Sequence, residues 1–416
     1  MTLRYLIIFT LSILTSCSHK LAPTPALFSR EGHEEMFKNL PDEKKQPLVN
    51  LLYATDRSWD AEDKEYGTNR SRILEFGECE IQFGELNTWQ KLYSTTSLKS
   101  HDITIDLKET KPLGYFPTPF PVLDSKQKYP KSNLAFINHV EEKLKVCKKK
   151  EVFVFIHGFN NTFDYAAKTT AQLWHYMGRQ GLGIVYSWPS GTNGIFGYGA
   201  DKESGDFTIF HLKQFLKALQ DCPSLEKINI LAHSRGTAVT TTALREIHLE
   251  LKNSGKTLKD MKLNNLVLAA ADIDIEVFMQ RFIAEGLHDA PKRLTLYLGA
   301  GDLALSMSER INISARRLGL MKPDDIKPEG RALLKKMKTV DLIYIPESLG
   351  IIAHSYFIDD PAVSSDLILL MRDDKAPGIE NGRPLGEHES GMWTLERDYP
   401  QFKPKESIWD NINPFK

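Results

Sequence analysis

The strongest chemical signal in the chain is a serine between an apolar run and a helical pattern. Residues 228–237 read INILAHSRGT, and the apolar run ends just before Ser234. Ala-His-Ser-Arg-Gly is a small-x-Ser-x-Gly motif, with Ala232 where glycine is usual. Small residues two positions away on either side let a strand and a helix pass closely. The turn lifts the hydroxyl to a helix N-terminus, where N–H groups favour negative charge. The motif predicts that Ser234 is a nucleophile, and a plain helix N-cap is the alternative.

A second segment could stabilise negative charge beside that serine. His157-Gly158-Phe159 follows directly on the apolar run at residues 152–157. A His-Gly pair in this place resembles the oxyanion loop of α/β-hydrolases. The backbone N–H groups of Phe159 and Arg235 would then hold a developing oxyanion, and each such donor contributes on the order of 10²–10³ in rate. We expect His157 to brace the loop rather than to titrate.

Several segments together resemble one bacterial family. FVFIHGFNNTF, YSWPS, NILAHSRGT, LAAADID and LYLGAGDLALSMS, with YATDR at residues 53–57, are similar to an uncharacterised family of esterase/lipase-like α/β-hydrolases of unknown function. The similarity extends over about residues 48–370. It implies an α/β-hydrolase fold with a Ser-Asp-His triad, and it brings no established substrate.

The acid and the histidine of that triad follow from position. In this fold the chain order is Ser, acid, His. The family position favours Asp302, which ends the turn at residues 299–302 (GAGD). Asp272 is the alternative, because some α/β-hydrolases take their acid from one strand earlier. His354 and His388 are the histidines beyond Asp302. His354 is favoured because it lies on a loop after the last predicted strand, whereas His388 lies in a polar tail.

Other ligand classes fit the sequence poorly. The 53 basic and 54 acidic residues give a formal net charge of −1, without the basic face that nucleic acid requires. Residues 299–304 match a dinucleotide-binding G-x-G-x-x-G/A pattern, but Asp302 inside that loop would repel a pyrophosphate. No CxxC or HExxH spacing indicates zinc. We therefore expect no metal or organic cofactor.

The predicted elements bring these distant residues to one edge of a sheet. Apolar runs, typical of strands buried on both faces, occur at residues 49–55, 79–83, 152–157, 183–188, 228–233, 266–271, 294–298 and 342–345. Amphipathic helical segments separate most of them. This alternation predicts an α/β fold with a mostly parallel sheet of about eight strands and helices on both faces. Active sites in such sheets lie at the carboxyl ends of the strands.

The N-terminus predicts an envelope protein. Residues 1–16 combine one arginine, about ten apolar residues and a small-residue end, which is typical of a secretory signal. Leu-Thr-Ser-Cys17 resembles a lipobox, which implies that Cys17 is acylated and anchors the protein in a membrane; an ordinary signal with a chance cysteine is the alternative. By resemblance to the sorting rules of bacterial lipoproteins, Ser18 in place of Asp implies the outer membrane of a two-membrane bacterium, facing the periplasm. We expect a flexible tether at 17–47, the hydrolase domain at 48–372 and an extended C-terminal segment at 373–416.

Two further features complete the expectations. Cys147 and Cys222 precede strands that are neighbours in this fold, and secretion permits oxidation, so we predict a disulfide between them with Cys79 free. The apolar, glycine-rich loop at residues 190–198 suggests a mobile flap over an acyl group, with a plain surface loop as the alternative.

These residues predict a lipid-anchored serine hydrolase. We expect it to cleave carboxylic esters of small molecules or lipids through an acyl-enzyme intermediate. The alternative is a catalytically silent envelope lipoprotein that uses the fold for binding or anchoring, because fold alone does not determine function.

Overall fold

One mixed β-sheet forms the centre of the molecule. The computed structural model describes residues 19–28, 35–38, 40–85, 88–98, 101–117, 133–192, 197–252, 255, 257–312, 316–346 and 354–402. Its strands are β1 Leu48–Asp60, β2 Glu65–Phe83, β3 Ile105–Tyr115, β4 Glu151–Ile156, β5 Leu182–Ser187, β6 Lys227–His233, β7 Leu263–Ala269, β8 Arg293–Gly299, β9 Val340–Ile345, β10 Gly386–Glu387 and β11 Trp393–Thr394. Their order across the sheet is β10-β11-β9-β8-β7-β6-β4-β5-β1-β2-β3. Strand pairs from β1 through β5, β4, β6, β7, β8 and β9 to β11 are parallel, and both sheet edges end in antiparallel pairs.

Helices flank the sheet. They are α1 Trp89–Thr96, α2 Leu134–Lys145, α3 Phe163–Tyr176, α4 Gly197–Gln220, α5 Arg235–Lys252, α6 Ile275–Phe278, α7 Leu303–Ile311, α8 Pro328–Lys336, α9 Tyr356–Asp359 and α10 Pro361–Met371. A π-helical turn, Met279–Ile283, continues α6. Short 3-10 helices lie at Ala26–Phe28, Asp42–Lys44, Leu258–Met261, Leu287–Asp289, Leu318–Leu320, Pro323–Asp325 and Ile379–Asn381.

The central strands are buried on both faces, as their unbroken apolar sequences predict. In β4, Val152, Val154 and Ile156 pack into the core on one side of the sheet, whereas Phe153 and Phe155 pack into the core on the other. This division follows from the alternation of side chains along a strand. Each such buried side chain contributes about 1.5–3 kcal/mol of hydrophobic stabilisation.

The predicted α/β-hydrolase architecture is confirmed, but the strand count is larger than expected. The eight predicted strands correspond to β1, β2 and β4–β9, and the sheet has eleven strands in the described chain. β3 lies where the sequence analysis predicts no strand. β10 and β11 lie in the C-terminal segment beyond residue 372, and they extend the sheet past β9.

The expectation of a flexible tether at 17–47 is wrong where the structure describes that segment. Leu21 N donates to Ile103 O (2.7 Å), and Ala22 N donates to Gln172 Oε1 (2.9 Å). The segment is held because its scattered apolar side chains are buried against the domain; these are Leu21, Ala22, Leu27, Met36, Phe37 and Leu40.

The C-terminal segment is likewise anchored up to residue 402. Arg383 is fully buried and donates two hydrogen bonds to the carboxylate of Asp366 on α10, at 2.8 and 2.6 Å. Tyr399 donates to the same carboxylate. These contacts join the C-terminal segment to α10 and to the sheet.

The predicted disulfide between Cys147 and Cys222 is also wrong. Both are free thiols, as is Cys79. Cys147 Sγ lies 3.4 Å from Gly181 O, just before β5, whereas Cys222 O accepts from Lys262 Nζ (2.6 Å), just before β7. β5 and β7 lie on opposite sides of the β4–β6 pair, so the two cysteines approach different neighbours.

No helix among the described residues has the length and apolar character needed to cross a membrane. The predicted signal segment and Cys17 lie outside the described residues, as do residues 403–416.

Candidate active site

Ser234 occupies a sharp turn between β6 and α5. Its φ is +52°, in the left-handed region that residues other than glycine rarely adopt. This backbone conformation costs about 1–2 kcal/mol. Thr237 holds the turn, because its N–H and its hydroxyl both donate to Ser234 O, at 3.1 and 2.6 Å. Gly236 is required by close approach, since a Cβ there would lie 2.3 Å from His157 O. The turn therefore has the strain and the close packing that the motif predicts.

The His-Gly loop after β4 lies directly against this turn. A Cβ on Gly158 would lie 2.6 Å from Ser234 Cβ, so only glycine permits the observed approach. The backbone N–H groups of Phe159 and Arg235 donate to no protein acceptor in the described part of the chain. Two unpaired donors thus flank the serine, at the positions expected for an oxyanion hole.

His157 braces this loop, as expected, and is uncharged. Its Nδ1–H donates to Gly158 O (2.9 Å), and its Nε2 accepts from Trp188 N (3.1 Å). Burial, together with the nearby charge of Arg57, lowers the pKa of His157 well below its usual value. The neutral ring thereby ties the end of β4 to the end of β5.

Arg57 lies beside the His-Gly loop, and the sequence analysis proposed no role for it. Its guanidinium is buried and donates to Ser187 Oγ (2.8 Å), Ser190 O (2.8 Å) and Asn161 O (2.7 Å). Nη2 also lies 3.3 Å from His157 Nε2. Burial lowers the pKa of Arg57 to about 9. The side chain therefore joins the oxyanion loop to the loop after β5. In the sequence, Arg57 stands out only as part of the YATDR segment at residues 53–57, which is similar to the family.

Asp302 and His354 meet as predicted. His354 Nδ1 donates to Asp302 Oδ2 (2.7 Å), and Asp302 is buried. The other carboxylate oxygen accepts from Leu305 N (3.0 Å) and caps α7, which fixes the acid in place. This arrangement sets the Nδ1–H tautomer and leaves His354 Nε2 free to accept a proton.

His233, the residue before Ser234, contacts His354. His233 Nε2 donates to His354 O (3.1 Å), and the two rings lie 4.6 Å apart. Burial lowers the pKa of His233 well below its usual value, so its ring is neutral. Because His233 immediately precedes Ser234, these contacts link His354 to the serine turn.

No hydrogen bond joins Ser234 Oγ to His354 among the described residues. Catalytic hydrogen bonds are often long in unliganded enzymes and tighten when substrate binds. Residues 347–353, which lead into His354, lie outside the described ranges.

The alternative acid, Asp272, contacts no histidine in the described chain. It accepts from Ser308 Oγ (2.6 Å) and Tyr198 OH (3.1 Å), and Arg317 Nε lies 3.3 Å away. The ring of Tyr198 packs edge-on against Phe159, with centroids 5.6 Å apart. Asp272 therefore positions Tyr198 beside the oxyanion loop.

The remaining candidates lie as follows. His388 lies in the turn between β10 and β11, where its Nδ1 accepts a hydrogen bond from Ser390 N (3.1 Å). Of the predicted flap, residues 193–196 lie outside the described ranges.

Comparisons with known proteins assign a family without an activity. Residues 132–372 match the family described as "Alpha/beta hydrolase of unknown function (DUF900)". No curated protein matches the chain.

Similar solved structures include an uncharacterised protein from Bacillus cereus ATCC 10987, with 14% identity and a TM-score of 0.35 over 61% of this chain and 66% of that one. The Pyrococcus furiosus esterase Pf2001 has 14% identity and a TM-score of 0.29 over 51% and 77%. A lipase-esterase related protein from Clostridium acetobutylicum ATCC 824 has 12% identity and a TM-score of 0.20 over 48% and 74%. Similarity at this level carries no inference about substrate.

Proposed function

Because the chain belongs to this family of α/β-hydrolases of unknown function, we propose that it is a serine hydrolase that cleaves carboxylic esters. Ser234 is the nucleophile, His354 the general base and Asp302 the acid that orients it. The observation that carries the proposal is the 2.7 Å contact of Asp302 with His354, which lies beside the serine turn.

The reaction follows from these positions. Ser234 Oγ attacks the carbonyl carbon of the ester, and His354 Nε2 accepts the hydroxyl proton. The carbonyl oxygen gains negative charge and is held by the N–H groups of Phe159 and Arg235. His354 then gives the proton to the leaving oxygen as the ester bond breaks. A water molecule, activated by the same histidine, releases the acid from Ser234.

Asp302 makes the histidine effective in both steps. It accepts the Nδ1–H of His354, so that Nε2 is the basic atom, and its negative charge stabilises the imidazolium that forms. The cap of α7 occupies its other oxygen, so the carboxylate cannot rotate without losing a hydrogen bond.

The anchoring expected from the sequence completes the proposal. Acyl chains on Cys17 would hold the domain at the outer membrane, facing the periplasm. Replacing Cys17 by serine should move the protein from the membrane fraction to the soluble fraction of a periplasmic extract, and retention in the membrane would contradict the anchor.

Hydrolysis of p-nitrophenyl esters tests the chemistry. We expect turnover by the wild type and a loss of about 10³-fold or more in Ser234→Ala and His354→Ala. Ser94→Ala is a matched control, because Ser94 is an exposed serine that bonds only within α1. Wild-type protein that is folded but inactive on every ester would contradict the proposal and favour a binding module. Unchanged turnover in Ser234→Ala would place the activity elsewhere.

A further inference from the structure

A groove begins beside the nucleophile and runs along α5. Its volume is about 330 Å³, and its floor extends from Arg235, the residue after the nucleophile, to Arg245. At 1.5 Å per helical residue, this floor is about 15 Å long. One wall is α4, and the other is the segment around α6 and the π-helical turn. Asp272 N, 3.4 Å from Ser234 O, marks where the groove meets the active site.

The middle of the groove is apolar. Ala238 and Val239 form the floor, with Ile209 on one side and Phe278 and Phe282 on the other. The two phenylalanine rings stack with centroids 5.2 Å apart. A surface of this kind binds hydrocarbon, because contact with it removes apolar area from water.

Some of the cations that line the groove form ion pairs with carboxylates, and others do not. Arg245, at the far end, forms a bidentate ion pair with Glu285, in which Nη2 lies 2.7 Å from Oε1. Arg317 forms an ion pair with Asp272 (3.3 Å). These two cations are neutralised by the protein itself.

The other cations that line the groove are not neutralised. Within the described residues, no carboxylate pairs with Arg235, Lys202 or Arg281. Arg235 Nε is buried without a hydrogen-bond partner. Asp206 and Asp274 also line the groove. Asp274 caps α6 by accepting from Val277 N, and Asp206 forms no ion pair within the described residues. An unpaired buried guanidinium N–H is unfavourable, and a carboxylate or phosphate oxygen would satisfy it.

We propose that this end of the groove binds an anionic group of the substrate through the side chain of Arg235, so that the preferred esters carry a negative charge on the acyl part. This inference rests on the proposed function. The backbone N–H of Arg235 would hold the oxyanion, while its side chain extends into the groove and binds the anionic group of the substrate. The oxyanion and that anionic group would therefore lie within one arginine side-chain length of each other. Lys202 and Arg281 at the rim add attraction for the same anion.

Two esters that share the same leaving group test the inference. Mono-p-nitrophenyl glutarate differs from p-nitrophenyl butyrate by a terminal carboxylate. We expect the wild type to show a kcat/KM at least tenfold higher for the glutarate ester, and we expect this preference to fall at high salt. Arg235→Gln should lower the ratio of the two values at least tenfold. Lys202→Gln and Arg281→Gln should each lower it less than Arg235→Gln does. A matched ester with a terminal phosphonate distinguishes a general anion site from a carboxylate site.

Arg245→Gln is the matched control, because this residue lines the same groove but is paired with Glu285. The ratio should not change in that variant. Equal kcat/KM for the two esters in the wild type, or an equal fall in Arg245→Gln, would overturn the inference and leave the hydrolase proposal intact.

Binding measured without turnover separates the two proposals. In Ser234→Ala, calorimetry should show that mono-p-nitrophenyl glutarate binds at least tenfold more tightly than p-nitrophenyl butyrate. Adding Arg235→Gln to this variant should remove the difference in affinity. If no ester is hydrolysed but this difference persists, the proposed function fails and the anion site stands. Equal binding of the two esters would overturn the anion site.

Discussion

Gly158→Ala is the substitution for which the structure gives the clearest expected effect. The added Cβ would lie 2.6 Å from Ser234 Cβ and 3.2 Å from His233 O. Neither neighbour is the flexible end of a side chain. To restore an ordinary contact of 3.4 Å, the loop and the serine must separate by roughly 0.8 Å. Overpacking of this kind costs about 1–3 kcal/mol of stability, so the protein should still fold.

The same displacement should remove most of the activity. A shift of about 1 Å in a catalytic group costs about 10²-fold in rate, and loss of an oxyanion donor costs about 10²–10³-fold. We therefore expect kcat for a p-nitrophenyl ester to fall about 10²–10³-fold with KM nearly unchanged, because the donors act in the transition state. Steady-state kinetics and a thermal melt measure both effects.

Gly199→Ala is the control for this prediction. Gly199 lies in α4, and a Cβ there would meet nothing within 4 Å. That variant should retain full activity and gain up to about 1 kcal/mol of stability, because alanine favours helix. Activity of Gly158→Ala within about threefold of the wild type, in a folded protein, would refute the placement of the oxyanion hole.

Three further predictions concern the triad acid, a buried histidine and the thiols. Asp302→Asn should keep the cap of α7 and lower kcat by about 10⁴-fold, whereas Asp272→Asn should lower the melting temperature and keep activity within about tenfold; the reverse ranking would make Asp272 the acid. Burial lowers the pKa of His175 well below 6.5, so the unfolded chain binds more protons and the wild type loses stability as pH falls below 6.5. His175→Gln should remove this loss, so urea titrations should show the stability difference between wild type and variant shrinking by up to about 1.4 kcal/mol per pH unit; a constant difference would contradict a neutral buried ring. Thiol titration of the unfolded chain should give the same count with and without reductant, and a deficit of two without reductant would restore the bond between Cys147 and Cys222.

The central strands were predictable because each has an unbroken apolar sequence, which indicates burial on both faces. In β4 the residues from Val152 to Ile156 are all apolar, and a strand covered on both faces requires that pattern. β3 was missed because it is a largely solvated edge strand, in which Ile105 is the one buried residue and Lys108, Glu109 and Pro112 give no apolar run. Strand identity at an edge depends on its neighbour, which the local sequence does not report.

The positions of Asp302 and His354 were predictable because each follows a strand at the carboxyl edge of the sheet. The supporting residues were harder to identify. Arg57 lies within β1, about a hundred positions before the loop that it holds, and only the fold brings them together. The capacity of His233 to hold His354 depends likewise on a contact across 121 positions.

The failed expectations share a physical cause. The Cys147–Cys222 prediction assumed that residues preceding adjacent strands lie side by side, but each loop leaves the sheet in its own direction. The tether at 17–47 was inferred from polar and proline-rich composition, which does not reveal whether a few apolar side chains find a surface to cover. Both errors concern long-range packing.

Covalent labelling of the intact protein with a fluorophosphonate tests the central claim most directly. We expect a single adduct, located by mass spectrometry on Ser234, that is absent in Ser234→Ala and forms much more slowly in His354→Ala. An adduct that persists in Ser234→Ala, or no adduct on folded wild-type protein under conditions that label an established serine hydrolase, would contradict it.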